Sequence, residues 1–141
     1  MKERKLYEHR ILYHFCPDHL WPSIKKKGLR LGKIPTGESL PNSELFNVKL
    51  IHGYQWLTLN PEFKQSWNEG SSLPYDRTSL RLTICLPKAE LFNLFKWTEF
   101  GKTNPLYETL SSFGDPENWY LFKGVIIPYW IINVNHKNNN Q

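Results

Sequence analysis

The chain has 141 residues, a length that fits one domain and leaves little room for a second. Eighteen Lys and Arg against thirteen Asp and Glu leave a net charge of +5, which suits an anionic partner such as nucleic acid or a dinucleotide. With 40% hydrophobic and 22% charged residues the composition is globular, so disorder of the whole chain is excluded. No apolar run reaches the roughly 18 residues of a membrane span, and Gly124-Val125-Ile126-Ile127 stops at Pro128. The charged start Met1-Lys2-Glu3-Arg4-Lys5 leads into no signal-peptide core. The expected setting is therefore cytoplasmic, with no membrane partner. Cys16 and Cys85 form no Cys-x-x-Cys pair, and two reduced, packed thiols are expected rather than a disulfide or a metal site.

Residues 11–15 read as a short strand that ends at Pro17. Asp18 can cap a helix whose Leu20, Trp21 and Ile24 share one face, with Pro22 confining its start and Gly28 ending it. Lys25-Lys26-Lys27 at that helix end either complements the helix dipole or meets phosphate. Residues 30–48, broken by Gly32, Pro35, Gly37 and Pro41, read as a long loop. Residues 54–59 form a strand by composition, closed by Asn60-Pro61, and residues 63–75 form a second long loop. Such loops in small domains are often functional. Residues 80–86 give the clearest strand, with Leu80, Leu82, Ile84 and Leu86 on one face and Arg81, Thr83 and Cys85 on the other.

Pro87 stops that strand, and Leu91, Phe92, Leu94 and Phe95 then give a helical apolar face. Asn104-Pro105 opens another helix, carrying Leu106, Leu110 and Phe113 and ending at Gly114. Residues 119–122 and 124–127 predict a strand pair or one bulged strand, bounded by Pro128, with residues 131–134 following. Residues 135–141 are polar and expected to be a disordered tail, which leaves residues 1–134 as the domain. The order predicts a single α+β domain built on a split antiparallel sheet with short helices.

Rossmann and Walker glycine loops, a His-Glu-x-x-His pair and a Gly-x-Ser-x-Gly elbow are all missing from the sequence. The residues that remain for chemistry are His14, Thr58, Arg77, Arg81 and the run Asp115-Pro116-Glu117-Asn118-Trp119. A pyrophosphate needs fixed cations and an adenine or nicotinamide ring needs an aromatic platform. Trp67 and Tyr75 in the second loop could supply the platform, with Lys33 and Arg77 as cations. Read without further context, His14 could equally be a strand histidine bonded to backbone, and Thr58 a residue chosen for its strand propensity.

Leu12-Tyr13-His14-Phe15, the segment 20–29 ending in Lys-Gly-Leu, Gln55-Trp56-Leu57-Thr58 and residues 119–134 together resemble small bacterial proteins of the ADP-ribosyltransferase-like fold. The opening is similar to that of the DarT toxins and the RNA 2′-phosphotransferases. The resemblance implies a split sheet of ADP-ribosyltransferase-like type whose cleft binds NAD, with the nicotinamide and its ribose between the first strand and the Trp-Leu-Thr strand. It implies that His14 donates a hydrogen bond to that ribose, with Tyr13, Thr58, Trp119 and Tyr120 around the nucleotide. In the family a late-strand glutamate steadies the transition state. The matching position here falls near Tyr120, so Glu117 is the nearest candidate, with Asp115 two residues before it. Phosphotransferases of this fold rely on arginines instead, for which Arg77 and Arg81 are candidates. The implied activity is NAD-dependent ADP-ribosyl transfer, acting on nucleic acid as a toxin or effector. The alternatives are a catalytically inactive nucleotide- or nucleic-acid-binding module of the same fold, and an RNA 2′-phosphotransferase-like enzyme.

Overall fold

Alternation of apolar and polar residues builds the sheet that positions everything else. A computed structural model of the chain describes residues 11–39, 48–65, 67, 76–112 and 114–137. In order these form β1 (Ile11–Cys16), α1 (Trp21–Lys27), β2 (Lys33–Ser39), β3 (Val48–His52), β4 (Tyr54–Thr58), β5 (Leu80–Cys85), β6 (Leu94–Lys96), α2 (Trp97–Phe100), α3 (Tyr107–Ser111), β7 (Trp119–Lys123) and β8 (Ile131–His136). The result is a single-domain α+β fold: six strands make an antiparallel sheet in the order β6-β7-β4-β1-β5-β8, and β2 and β3 pair separately.

Each face of the large sheet carries its own core. On one face Leu12, Cys16, Leu57, Leu82, Ile84 and Phe122 pack together, and α1 closes them over with Ile24. On the other face Ile34, Trp97, Trp119 and Leu121 form a second cluster, against which Trp56, Tyr107 and Leu110 pack. Trp97 is fully buried there, and its indole Nε1 donates to Ser111 Oγ at 2.9 Å, so the one polar atom of a large apolar side chain is satisfied. Cys16 and Cys85 lie on paired strands but on opposite faces, and both are free thiols. Burial, with the Asp18 carboxylate adding to it, pushes the Cys16 thiol up to about 12, which makes it unreactive.

Several elements differ from those the sequence predicts. Residues 33–39 are strand β2 rather than loop, because they pair antiparallel with β3, from Lys33↔His52 through Pro35↔Leu50 to Ser39↔Val48. The apolar run after Pro87 makes no helix of the expected kind. A 3₁₀ turn spans Lys88–Asn93 and the chain then becomes edge strand β6, with Leu91 and Leu94 buried and Phe92 outward. Residues 124–127 add no strand, although Ile126 bridges to Leu29. Asp18 begins a 3₁₀ turn, Asp18–Leu20, without capping α1 through its side chain. Strand β8 also runs past Val134 into residues expected to be tail. Asn135 and His136 pair with Arg81 and Leu80, and Lys137 Nζ meets Asp76 at 2.9 Å. Partial burial pushes the Asp76 carboxyl up, but the Lys137 ammonium and hydrogen bonds from Thr78 outweigh it and hold it at about 2. Among the described residues no helix is long and apolar enough to cross a membrane.

Gly28 ends α1 with φ at +79°, and a β-carbon there would collide with the Ile126 carbonyl that Leu29 N–H bonds. Gly28→Ala is therefore expected to cost more than about 1 kcal/mol, read as a lower urea midpoint at unchanged slope. An unchanged midpoint would mean that this junction yields freely.

Candidate functional site

The shortest ladder in the six-stranded sheet lies between β1 and β4. β1 is registered with β5 along its whole length, from Ile11↔Cys85 to Cys16↔Leu80, and β4 with β7 from Tyr54↔Lys123 to Thr58↔Trp119. Between β1 and β4 the one registered pair is Tyr13↔Thr58. Where that ladder stops, His14 reaches across, and its Nδ1 lies 2.8 Å from the Trp56 carbonyl oxygen. A carbonyl only accepts, so Nδ1 carries the proton. Burial holds the imidazole below its ordinary value, more strongly than the backbone bond raises it. The ring is therefore neutral at neutral pH, and Nε2 has a lone pair and no proton. A ligand hydroxyl would donate to it, the reverse of the direction that the resemblance implies.

Beside this opening lies a cavity of about 520 Å³, inside the roughly 300–1,000 Å³ range of small-molecule sites. Tyr13, Trp56, Trp67 and Trp119 wall it with rings, and His14, Thr58 and Arg77 supply its polar groups. Strand geometry explains most of that set. Cross-strand partners share a face, so Tyr13, Thr58 and Trp119 stand together, and Trp56 joins them two residues before Thr58.

Hydrogen bonds then fix the walls. Trp56 Nε1 donates to the Lys33 carbonyl at 3.0 Å, and Trp119 Nε1 donates to Asp115 Oδ1 at 3.2 Å. Asp115 Oδ2 accepts from Asn118 at 2.9 Å and from Asn60 at 3.2 Å, so this carboxylate ties the end of β4 to the start of β7. Thr58 Oγ1 accepts from the Asn60 N–H at 3.1 Å, which leaves its O–H to donate. Trp67 is steadied by Gln65, a buried amide whose Nε2 donates to the Glu62 carbonyl at 2.6 Å. The Arg77 guanidinium lies 4.9 Å from the Trp67 ring centre.

Of the residues expected at the site, Tyr13, His14, Thr58, Trp67, Arg77 and Trp119 are thus brought together. Tyr120 is not, because it follows Trp119 on a strand and so points into the opposite core, where burial, with Glu99 nearby, raises its phenol. Arg81 is spent elsewhere. Its Nη1 donates to the Pro61 carbonyl at 2.8 Å, its Nη2 to Asn135 at 3.1 Å, and it stacks 4.8 Å from the Phe63 ring centre. Those bonds anchor the loop after β4 and leave Nε without a partner among the described residues. Glu117 is exposed in the 3₁₀ turn Pro116–Asn118 and is not among the described residues that line the cavity. Tyr75 lies outside the described residues.

Sequence reasoning missed Trp56, Phe15, Leu57 and Leu110 as lining residues, and Asp115 as the group that orients Trp119. Trp56 could have been found, since period-two spacing puts it beside Thr58. Among the described residues no three His, Cys, Asp or Glu side chains gather as a metal site. Comparison with protein-family models, curated proteins and solved structures found no match to the chain.

The neutral His14 ring gives a pH dependence whose sign is fixed. The unfolded ring titrates near about 6.5 and the folded ring lower, so below that pH the unfolded chain takes up more protons. The stability linked to His14 is complete above about pH 6.5 and falls as the pH drops toward the folded value. Melting temperatures at pH 7.5 and 5.5 are expected to fall further for wild type than for His14→Gln, which keeps a donor for Trp56 but does not titrate. Equal falls would mean that the folded His14 ring titrates where the unfolded one does.

Proposed function

We propose that the chain is an ADP-ribosyltransferase-like protein that binds NAD or a related adenine nucleotide in the cavity of about 520 Å³. In this reading the sheet is of the split type, nearly divided between β1 and β4. The observation that carries it is the ladder ending at Tyr13↔Thr58, with the His14 imidazole spanning to the Trp56 carbonyl beside a cavity lined by Trp56, Trp67, Arg77 and Trp119. The chemistry of the walls fits such a ligand. A base or nicotinamide stacked on an indole gains roughly 1–3 kcal/mol. Arg77 offers a cation for the pyrophosphate, and the His14 lone pair and the Thr58 hydroxyl suit ribose hydroxyls.

Transfer of ADP-ribose to nucleic acid or another acceptor, as a toxin or effector, is the second reading. His14 and Thr58 support it, since both line the cavity and the resemblance assigns both to the nucleotide site. No carboxylate is among the described lining residues, which favours binding over transfer. The phosphotransferase reading is left with Arg77, since Arg81 is engaged with Pro61 and Asn135.

Thermal-shift titration with NAD and ADP-ribose is expected to raise the melting temperature, by linkage worth roughly 2.7 kcal/mol at 100 times the dissociation constant. Arg77→Ala and His14→Gln should each weaken binding by roughly 1–3 kcal/mol while the unliganded fold persists. No shift at millimolar ligand would reject the proposal. NAD consumption by wild type and Glu117→Gln then separates the two readings. A transferase using that carboxylate loses about 10²–10³ in rate, whereas binding alone is untouched by the change.

A further inference from the structure

Charge is segregated along this chain, and three of its acid-free segments meet at one junction. Residues 19–37, 48–61 and 118–141 contain no Asp or Glu. Backbone bonds join these three segments at one end of the sheet: Leu29 and Ile126 bond each other at 2.9 Å, Gly53 N–H donates to Gly32 at 3.0 Å, and Gly124 N–H donates to Gly53 at 2.7 Å. Around that junction Lys25, Lys26, Lys27, Arg30, Lys33 and Lys123 are all exposed. The surface among them is partly aliphatic, with Leu31 72% and Val125 45% exposed. A second cavity, of about 210 Å³, is set into it, with Leu20, Ile24, Leu29 and Leu31 as apolar walls and Arg30 also lining it.

That volume is below the roughly 300 Å³ at which small-molecule sites usually begin, and it suits a single inserted side chain. We propose that this surface docks an acidic segment of a partner protein, which places one apolar side chain in the smaller cavity and Asp or Glu against the surrounding cations. Apolar anchors in pockets, ringed by charge-complementary contacts, are how protein interfaces concentrate affinity and specificity. A second copy of this chain is disfavoured, since two such faces carry the same charge. Nucleic acid matches the charge but has no aliphatic side chain for the cavity. The proposal concerns the smaller cavity and does not rest on nucleotide binding in the larger one.

Selection of phage-displayed random peptides on the full chain tests it. The expected product is a family of peptides with one apolar residue flanked by Asp or Glu. Their binding should weaken with salt and fall about tenfold or more in the double variant Lys27→Glu, Arg30→Glu and in Leu31→Glu. All three positions are exposed, and unchanged melting temperatures confirm that the variants fold. Three results would overturn the proposal: no enrichment, enrichment without that pattern, or peptide binding indifferent to the three changes. A thymidine oligonucleotide that binds tightly, depends on Lys27 and Arg30 but not on Leu31, and displaces the peptides would overturn it too, by making the surface a nucleic-acid site.

Discussion

Two strands that pair at a single position need another tie where their ladder ends, and in this protein a side chain makes it. The hydrogen bond of 2.8 Å between His14 Nδ1 and the Trp56 carbonyl spans β1 and β4 beside the pair Tyr13↔Thr58. A fully buried carbonyl left without a donor costs roughly 1–3 kcal/mol, and this bond, partly buried, stabilises the sheet by a share of that as well as shaping it. It also sets the chemistry of the ring, because a neutral imidazole that donates through Nδ1 can only accept through Nε2. Since His14 and Trp56 line both cavities, the same contact is the wall between them.

Around that tie the aromatic residues divide between stability and the site. Trp97 is wholly buried and holds α2 and α3 against the second face, with Trp56 5.0 Å and Tyr107 5.4 Å from it between ring centres. Trp119 meets Trp56 edge-on at 5.9 Å, so the cavity walls are continuous with a packed core rather than loosely attached to it. Such ring pairs contribute roughly 0.5–1.5 kcal/mol each beyond burial. Walls held by the core and by Lys33, Asp115 and Gln65 need little rearrangement to receive a flat ligand, which lowers the entropy cost of binding. Arg81 belongs to the same scheme as a clamp: it stacks on Phe63 and holds the loop after β4 through Pro61.

Much of this was legible in the sequence where a short period or a backbone breaker speaks for itself. The alternation of Leu80, Leu82 and Ile84 marks β5 and its buried face, and Gly28 marks the end of α1. Pro35 and Gly37 hide β2, because a strand of a two-stranded ribbon tolerates residues that a central strand excludes. The face of Tyr120 follows from alternation once Trp119 is placed, whereas the engagement of Arg81 with Asn135 depends on where β8 runs, which no local pattern gives. The roles of His14 and Asp115 were the hardest to see. The His14 bond to Trp56 and the Asp115 bond to Asn60 join residues 42 and 55 positions apart, which only the folded sheet brings near.

The most direct measurement is nitrogen-15 NMR of the histidine imidazoles in the folded chain, with and without ADP-ribose. The account predicts that His14 is the Nδ1-protonated neutral tautomer, that it titrates below the usual histidine value, and that its Nε2 resonance shifts when the ligand binds. A His14 ring protonated at Nε2, or one whose resonances ignore a ligand that demonstrably binds, would contradict it.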